Sequence, residues 1–203
     1  MSKADIVSKF VLNKTQVDKL DFYISSIIKY NKHTNLVGKS TIENIWDRHV
    51  LDCLQLTKHI NKKTLKILDL GTGAGLPGLL FSIVGYQNVT MIESIKKKTD
   101  FINIIIKDLS LSARVENKRI EKLKKTKQDI IVSRALAPLS KLLTYARMHS
   151  NKNTTSLFLK GRNVNNEIEK AMKHFVFDYV KIASVSVGDG CVLQIKNVKL
   201  KNA

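Results

Sequence analysis

The chain has 203 residues, 43% of them hydrophobic, which suits one domain with a continuous core. Two cysteines, Cys53 and Cys191, cannot build a disulfide framework, and no apolar run reaches the ~20 residues that cross a bilayer, which excludes a stapled secreted scaffold and a helical membrane protein. Lys and Arg number 35 against 17 Asp and Glu, a net charge of +18 that attracts polyanions and puts nucleic acid first among partners, although a Lys-, Ile- and Asn-rich chain is also what AT-rich coding produces.

The N-terminal stretch MSKADIVSKFVLNK has scattered charges and no apolar h-region, so no signal peptide is expected and the cytoplasm is the expected location. In residues 15–31, Val17, Leu20, Ile24, Ile27 and Ile28 fall on one helical face, with Thr15 and Asp18 suggesting the start. A polar loop follows over 31–40. Tyr30, Lys32, His33 and Asn35 there suit base stacking and phosphate contact, or a plain helix connection. Residues 41–60 space Ile42, Ile45, Trp46, His49, Val50 and Cys53 by three and four, predicting a second amphipathic helix.

From Leu65 short apolar runs alternate with helical stretches. Strands are predicted at 65–70, 88–93, 113–117, 129–134 and 155–160, and helices at 77–84, 96–109, 138–149 and 165–175. Runs 177–187 and 191–198, separated by Gly188, Asp189 and Gly190, read as an antiparallel hairpin. The expected fold is α/β and Rossmann-like: a mostly parallel seven-stranded sheet with an antiparallel C-terminal strand, binding its ligand at the strands' carboxyl ends. Residues 1–203 are expected to form one domain, with 1–62 a helical extension and 63–203 the core.

Between the first predicted strand and helix lies 69-DLGTGAGLPG-78. Gly73, Gly75 and Gly78 match G-x-G-x-x-G, preceded by a strand and followed by Pro77, which suits a first helical turn. A P-loop is excluded, because Leu79 and Leu80 stand where Lys and Ser or Thr would hold phosphate and Mg²⁺. Both a nicotinamide dinucleotide and S-adenosyl-L-methionine want an acid ending the second strand for the ribose hydroxyls, and Glu93 supplies it. Asp69, inside the end of the first strand, favours the sulfonium cofactor, whose amino group tolerates a carboxylate that a pyrophosphate would not.

The glycine loop, together with 48-RHVLDCL-54, 119-RIE-121, 132-VSRALAPL-139 and 159-LKG-161, closely resembles the bacterial RsmG (also called GidB) family, in register from about Asn35 to Gly161. The most specific elements are LPG directly after the loop and SRA at the fourth strand. The resemblance implies an S-adenosylmethionine-dependent methyltransferase fold and methylation of guanine N7 in 16S ribosomal RNA, on the RNA or on the small ribosomal subunit. It implies that Gly71, Gly73 and Leu76 contact the cofactor, that Ile120 and Glu121 lie beside the adenine, and that Arg134 reaches the active-site mouth. Glu93 stands where relatives often have Asp, and Cys53 where many have Ser.

N7 already presents a lone pair, so no general base is needed and no catalytic residue is named; alignment would carry the rate. Arg134 could bond guanine O6, a phosphate, the cofactor or a neighbouring acid. His49 and Cys53, four apart, lack further ligands and read as core rather than as a metal site. The runs 96–98 and 122–127, with Lys97 and Lys98, and also Lys160 and Arg162, are candidates for RNA contact or for solvated faces. No protein partner is implied and a monomer is expected. Two other functions stay open on the residues alone: an NAD-dependent oxidoreductase with a Rossmann glycine loop, and a basic RNA-binding module with a vestigial pocket.

Overall fold

The computed structural model describes residues 1–186 and 188–201. The chain begins with a helix not among the expected elements, α1 (Lys3–Lys9), capped by Ser2 and Asp5, which exchange bonds with each other's backbone amides. Helix α2 (Lys14–Tyr30) starts one residue earlier than expected. Asn13 accepts from the Gln16 amide at 2.9 Å while the Gln16 side chain accepts from the Asn13 amide, so this pair, not Thr15 and Asp18, sets the start.

The single helix expected over 41–60 is instead a composite. A 3₁₀ turn covers Lys39–Thr41, a π-helical turn covers Trp46–Leu51, α3 is Asp52–Leu54, and a second 3₁₀ turn covers Gln55–His59. Apolar spacing of three and four is compatible with all three helix types, so the pattern does not distinguish them. π turns are frequent at functional sites.

The sheet consists of β1 (Lys66–Leu70), β2 (Asn88–Glu93), β3 (Ala113–Asn117), β4 (Ile130–Arg134), β5 (Thr155–Lys160), β6 (Phe175–Ala183) and β7 (Cys191–Leu200), in the order β3-β2-β1-β4-β5-β7-β6. The first five strands are parallel, and β7 runs antiparallel between β5 and β6. The intervening helices are α4 (Gly78–Ile83), α5 (Lys96–Asp108), α6 (Leu139–His149) and α7 (Val164–Met172). Helix α7 ends three residues short of its expected limit because Phe175 belongs to β6, where Phe175 and Phe177 alternate inward. The expected first arm of the hairpin ran to Val187; β6 ends at Ala183, and Val187, like residues 202 and 203 of the expected core, lies outside the described residues.

Parallel strands are covered on both faces and therefore read as continuous apolar runs. In β1, Ile67 faces a cluster that includes Ile6, Leu20, Tyr23, Leu51, Phe81 and Phe101, while Leu68 and Leu70 face one built from α6, α7 and Phe158. The N-terminal helices thus share a core with α4 and α5. Order reverses between β1 and β4, and the crevice at the carboxyl ends of these strands is where such sheets take ligands.

One buried bond joins the extension to that crevice. The Tyr23 hydroxyl donates to the Ala74 carbonyl in the glycine loop at 2.9 Å, with Tyr23 itself buried. Tyr23→Phe leaves that carbonyl without its partner and should cost about 1–3 kcal/mol of stability. Urea unfolding checks this: the midpoint falls while the slope stays constant.

Candidate functional site

The chain leaves β1 and turns through Gly71 (φ +68°), Gly73 (φ +62°) and Gly75 (φ +100°), left-handed conformations that a Cβ strains. A side chain at Gly71 would collide with Leu136 from the loop after β4. At Gly73 a Cβ would meet nothing within 4 Å, so this backbone faces open space.

Two acids at the ends of neighbouring strands brace the turn. Asp69 Oδ2 accepts from the Thr72 hydroxyl at 2.5 Å and from the Gly78 amide at 2.9 Å. Glu93 Oε2 accepts from the Gly73 amide at 3.1 Å, and its Oε1 accepts from the Ile95 amide at 2.8 Å. Asp69 is fully buried beneath the loop, and burial raises its pKa to about 7 against the opposing pull of the Thr72 and Gly78 bonds. Asp69 does not line the cleft; its carboxyl group is spent on the loop beneath which it lies. Glu93 does reach the cleft wall.

The resulting cleft has a volume of ≈ 640 Å³ and brings together Gly71, Gly73, Leu76, Glu93, Ile120, Glu121 and Arg134, the residues singled out from the sequence. Ile120 and Glu121 lie on a 3₁₀ turn after β3, and the Tyr145 hydroxyl from α6 bonds the Glu121 carboxylate, which that bond holds below the ordinary range. Arg134 ends β4. Its Nε donates to Asp52 Oδ2 at 3.0 Å and its Nη2 donates to the Arg48 carbonyl at 3.0 Å. Arg134 therefore lines the cleft and is also ion-paired with a neighbouring acid.

Sequence reasoning missed the contribution of the extension. Leu36, Val37, Gly38, Thr41 and His49 close one side of the cleft. His49 is buried and bonds the Thr41 hydroxyl at 2.7 Å, and burial lowers its pKa to about 3, so it stays neutral. Cys53 is buried as well, its thiol pushed far above the usual range, and among the described residues no group of three or more potential metal ligands forms. The signal for Asp52 was present in RH-x-x-D, but its pairing with Arg134 spans 82 positions.

Other candidates separate on contact. The half-buried Tyr30 ring packs tilted against Phe101 with centroids 5.0 Å apart, so part of it is engaged with the core. Lys98 lines the cleft, Lys97 is exposed, and residues 124–127 lie on an exposed loop, apart from a partly buried approach to α6. Lys160 is buried in an ion pair with Glu167 at 2.6 Å, whereas Arg162 is exposed.

Strand order, crevice and glycine turn define a Rossmann-like α/β protein of the methyltransferase fold class; the TehB-like SAM-dependent methyltransferase of Corynebacterium glutamicum, 18% identical, superposes with a TM-score of 0.58 over 76% of this chain and 93% of its own. A family model described as rRNA small subunit methyltransferase G matches residues 16–194. The ribosomal RNA small subunit methyltransferase G of Hyphomonas neptunium is 36% identical across 100% of both chains, and that of Paramagnetospirillum magneticum 32% identical across 98% of this chain and 97% of its own. The chain belongs to the rRNA small subunit methyltransferase G family.

The buried Asp69 gives stability a distinctive pH dependence. Between the ordinary carboxylate value of 3.8 and about 7 the folded chain retains a proton that the unfolded chain has lost, so Asp69's contribution declines as pH rises through that window and is level above it. Asp69→Asn is neutral throughout. Subtracting the variant's unfolding free energy from the parent's, in urea titrations at a series of pH values, should give a difference that falls from pH 4 to 7; a level difference would refute the assignment.

Proposed function

We propose that the protein transfers a methyl group from S-adenosyl-L-methionine to N7 of a guanosine in 16S ribosomal RNA. The observation that carries this reading is the convergence of Gly71, Gly73, Leu76, Glu93, Ile120, Glu121 and Arg134 on one cleft at the switch point of the sheet, in a chain of the rRNA small subunit methyltransferase G family.

The residues present fit the cofactor. Glu93 keeps lone pairs beyond those used by Gly73 and Ile95, and these accept from ribose hydroxyls. Ile120 and Glu121 give an apolar contact and an acceptor for the adenine. Open space above Gly73 lets the remainder of the cofactor lie against bare backbone there, while Leu136 covers Gly71. When bound, the sulfonium supplies an electrophilic methyl carbon: the N7 lone pair forms the new C–N bond as the C–S bond breaks, the electron pair goes to sulfur, and no proton moves. The protein's part is therefore alignment and exclusion of water, with the +18 charge drawing in the RNA.

The same reading takes residues 1–203 as one monomeric domain, with 1–62 closing the cleft of the 63–203 core. It places the protein in the cytoplasm with 16S ribosomal RNA or the small subunit as partner. Among the described residues no helix is long and apolar enough to cross a membrane.

Incubation with methyl-labelled S-adenosylmethionine and under-methylated small-subunit RNA should yield labelled 7-methylguanosine; failure to label any RNA would sink the proposal. Glu93→Ala removes a charged acceptor and should weaken cofactor binding by about 1–3 kcal/mol, measured by calorimetry. Unchanged affinity would remove Glu93 from the site.

A further inference from the structure

A second cleft of ≈ 610 Å³ shares Arg134, Ala135, Leu136 and Ala137 with the first and extends from them to the loop between β6 and β7. We propose that this second cleft receives the guanine to be methylated, with Arg134 at the boundary and Asp52 as the residue that positions it. The inference rests on the guanine-N7 reading given above.

A base within a duplex stack cannot reach a buried methyl donor, so it must come from a single strand or be extruded into a pocket, and the volume suits a purine nucleotide. Guanine carries the acceptors N7 and O6 on one edge and N–H donors on the other. For N7 to face the first cleft, its O6 and N7 edge must lie at the shared wall, where Arg134 stands. An arginine free to turn takes O6 and N7 together, the commonest specific contact to guanine, and would mask the lone pair that has to react. Arg134 is not free to turn. Asp52 holds Nε and the Arg48 carbonyl holds Nη2, while Nη1 has no hydrogen bond among the described residues. Fixed in this way, Arg134 offers Nη1 to O6 and leaves N7 exposed.

The remaining lining fits the rest of the base. Asp189 adds a carboxylate, and Glu167, whose Oε2 already accepts from Lys160 and the Leu139 amide, adds its other oxygen. These are the acceptors that N1–H and the N2 amino group of guanine need and that an adenine edge would not match. Lys160 bonds the Ala137 carbonyl at 3.0 Å and Glu167 at 2.6 Å, which fixes the shared wall. On the other side Asp52 Oδ1 accepts from the Ser186 hydroxyl at 2.9 Å, and Gln55 bonds Ser184 Oγ at 2.9 Å and the Val185 amide at 3.0 Å. One carboxylate thus sets both Arg134 and the hairpin loop that bounds the cleft.

Two variants and a cross-link test this. A Cβ at Gly161 meets nothing within 4 Å and its backbone is not left-handed, so Gly161→Phe starts its side chain in open space at the lining of the second cleft. Asp52→Asn keeps the shape and removes the charge. Both should bind S-adenosylmethionine within about twofold of the parent. Gly161→Phe should lower kcat/KM for under-methylated small-subunit RNA roughly tenfold or more, and Asp52→Asn should lower kcat to a similar extent with little change in KM. RNA carrying 6-thioguanosine should photo-cross-link to peptides spanning 134–138 or 184–190. Parent-level transfer by Gly161→Phe, loss of cofactor affinity in either variant, or cross-links confined to 96–98 and 122–127 would each overturn the assignment. If the parent itself methylates no RNA, the guanine-N7 reading fails and takes this proposal with it, a result distinct from the others.

Discussion

A backbone that passes close beneath a ligand has to find acceptors for its own amides, and this requirement organises the crevice. The turn after β1 uses left-handed residues at 71, 73 and 75, and only some of its amides find backbone partners: Thr72 bonds the Ile92 carbonyl, and Gly75 and Leu76 bond the Thr72 carbonyl. Asp69 and Glu93, ending adjacent strands, take over the amides of Gly78, Gly73 and Ile95. The cost is visible at Asp69, whose burial disfavours its charge and leaves Oδ1 without a hydrogen-bond partner among the described residues. With these acids in place, Gly73 presents open space to the cleft and α4 starts directly beneath it.

A second organising element is the Asp52 carboxylate, half of an ion pair with Arg134 in which both side chains are one-fifth exposed. Removing one partner of such a pair leaves the other poorly solvated, which is why it acts as a geometric fixture more than as a source of stability. It ties the extension to the end of β4 and, through Ser186, to the C-terminal hairpin. The extension is consequently part of the cleft wall and not an appendage to the core.

The parallel strands were legible because each is a short apolar run between helical stretches, and their observed limits lie within a residue of those expected through β5. Glu93 was legible because its place, ending the second strand after a glycine turn, is dictated by sheet topology. What escaped depends on contacts between distant residues. Asp69 was visible as an acid, yet which way it faces follows from its sharing a sheet face with Ile67, and that is known only once the layers are packed. The composite helix around Trp46–Leu51 escaped because apolar periodicity is common to π, α and 3₁₀ turns. Tyr30 was readable as a stacking aromatic or as part of a plain helix connection, and its contact with Phe101 could not be read locally because α5 supplies the partner. Capping by Ser2 and Asn13 was readable in principle, since both are followed three residues later by an acid or amide.

The bonds from Gln55 and Asp52 to Ser184, Val185 and Ser186 join positions 129 to 134 residues apart. Contacts that distant cannot form until both partners have been synthesised, and they raise the contact order of the fold. The residues that line the first cleft all lie at or before Tyr145, so synthesis has produced them before the last two strands. The wall built by the β6–β7 loop has to wait for nearly the whole sequence. In order of synthesis, then, the proposed pocket for the base is completed after the pocket for the methyl donor, so an unfinished chain has no enclosed place in which to hold an RNA base.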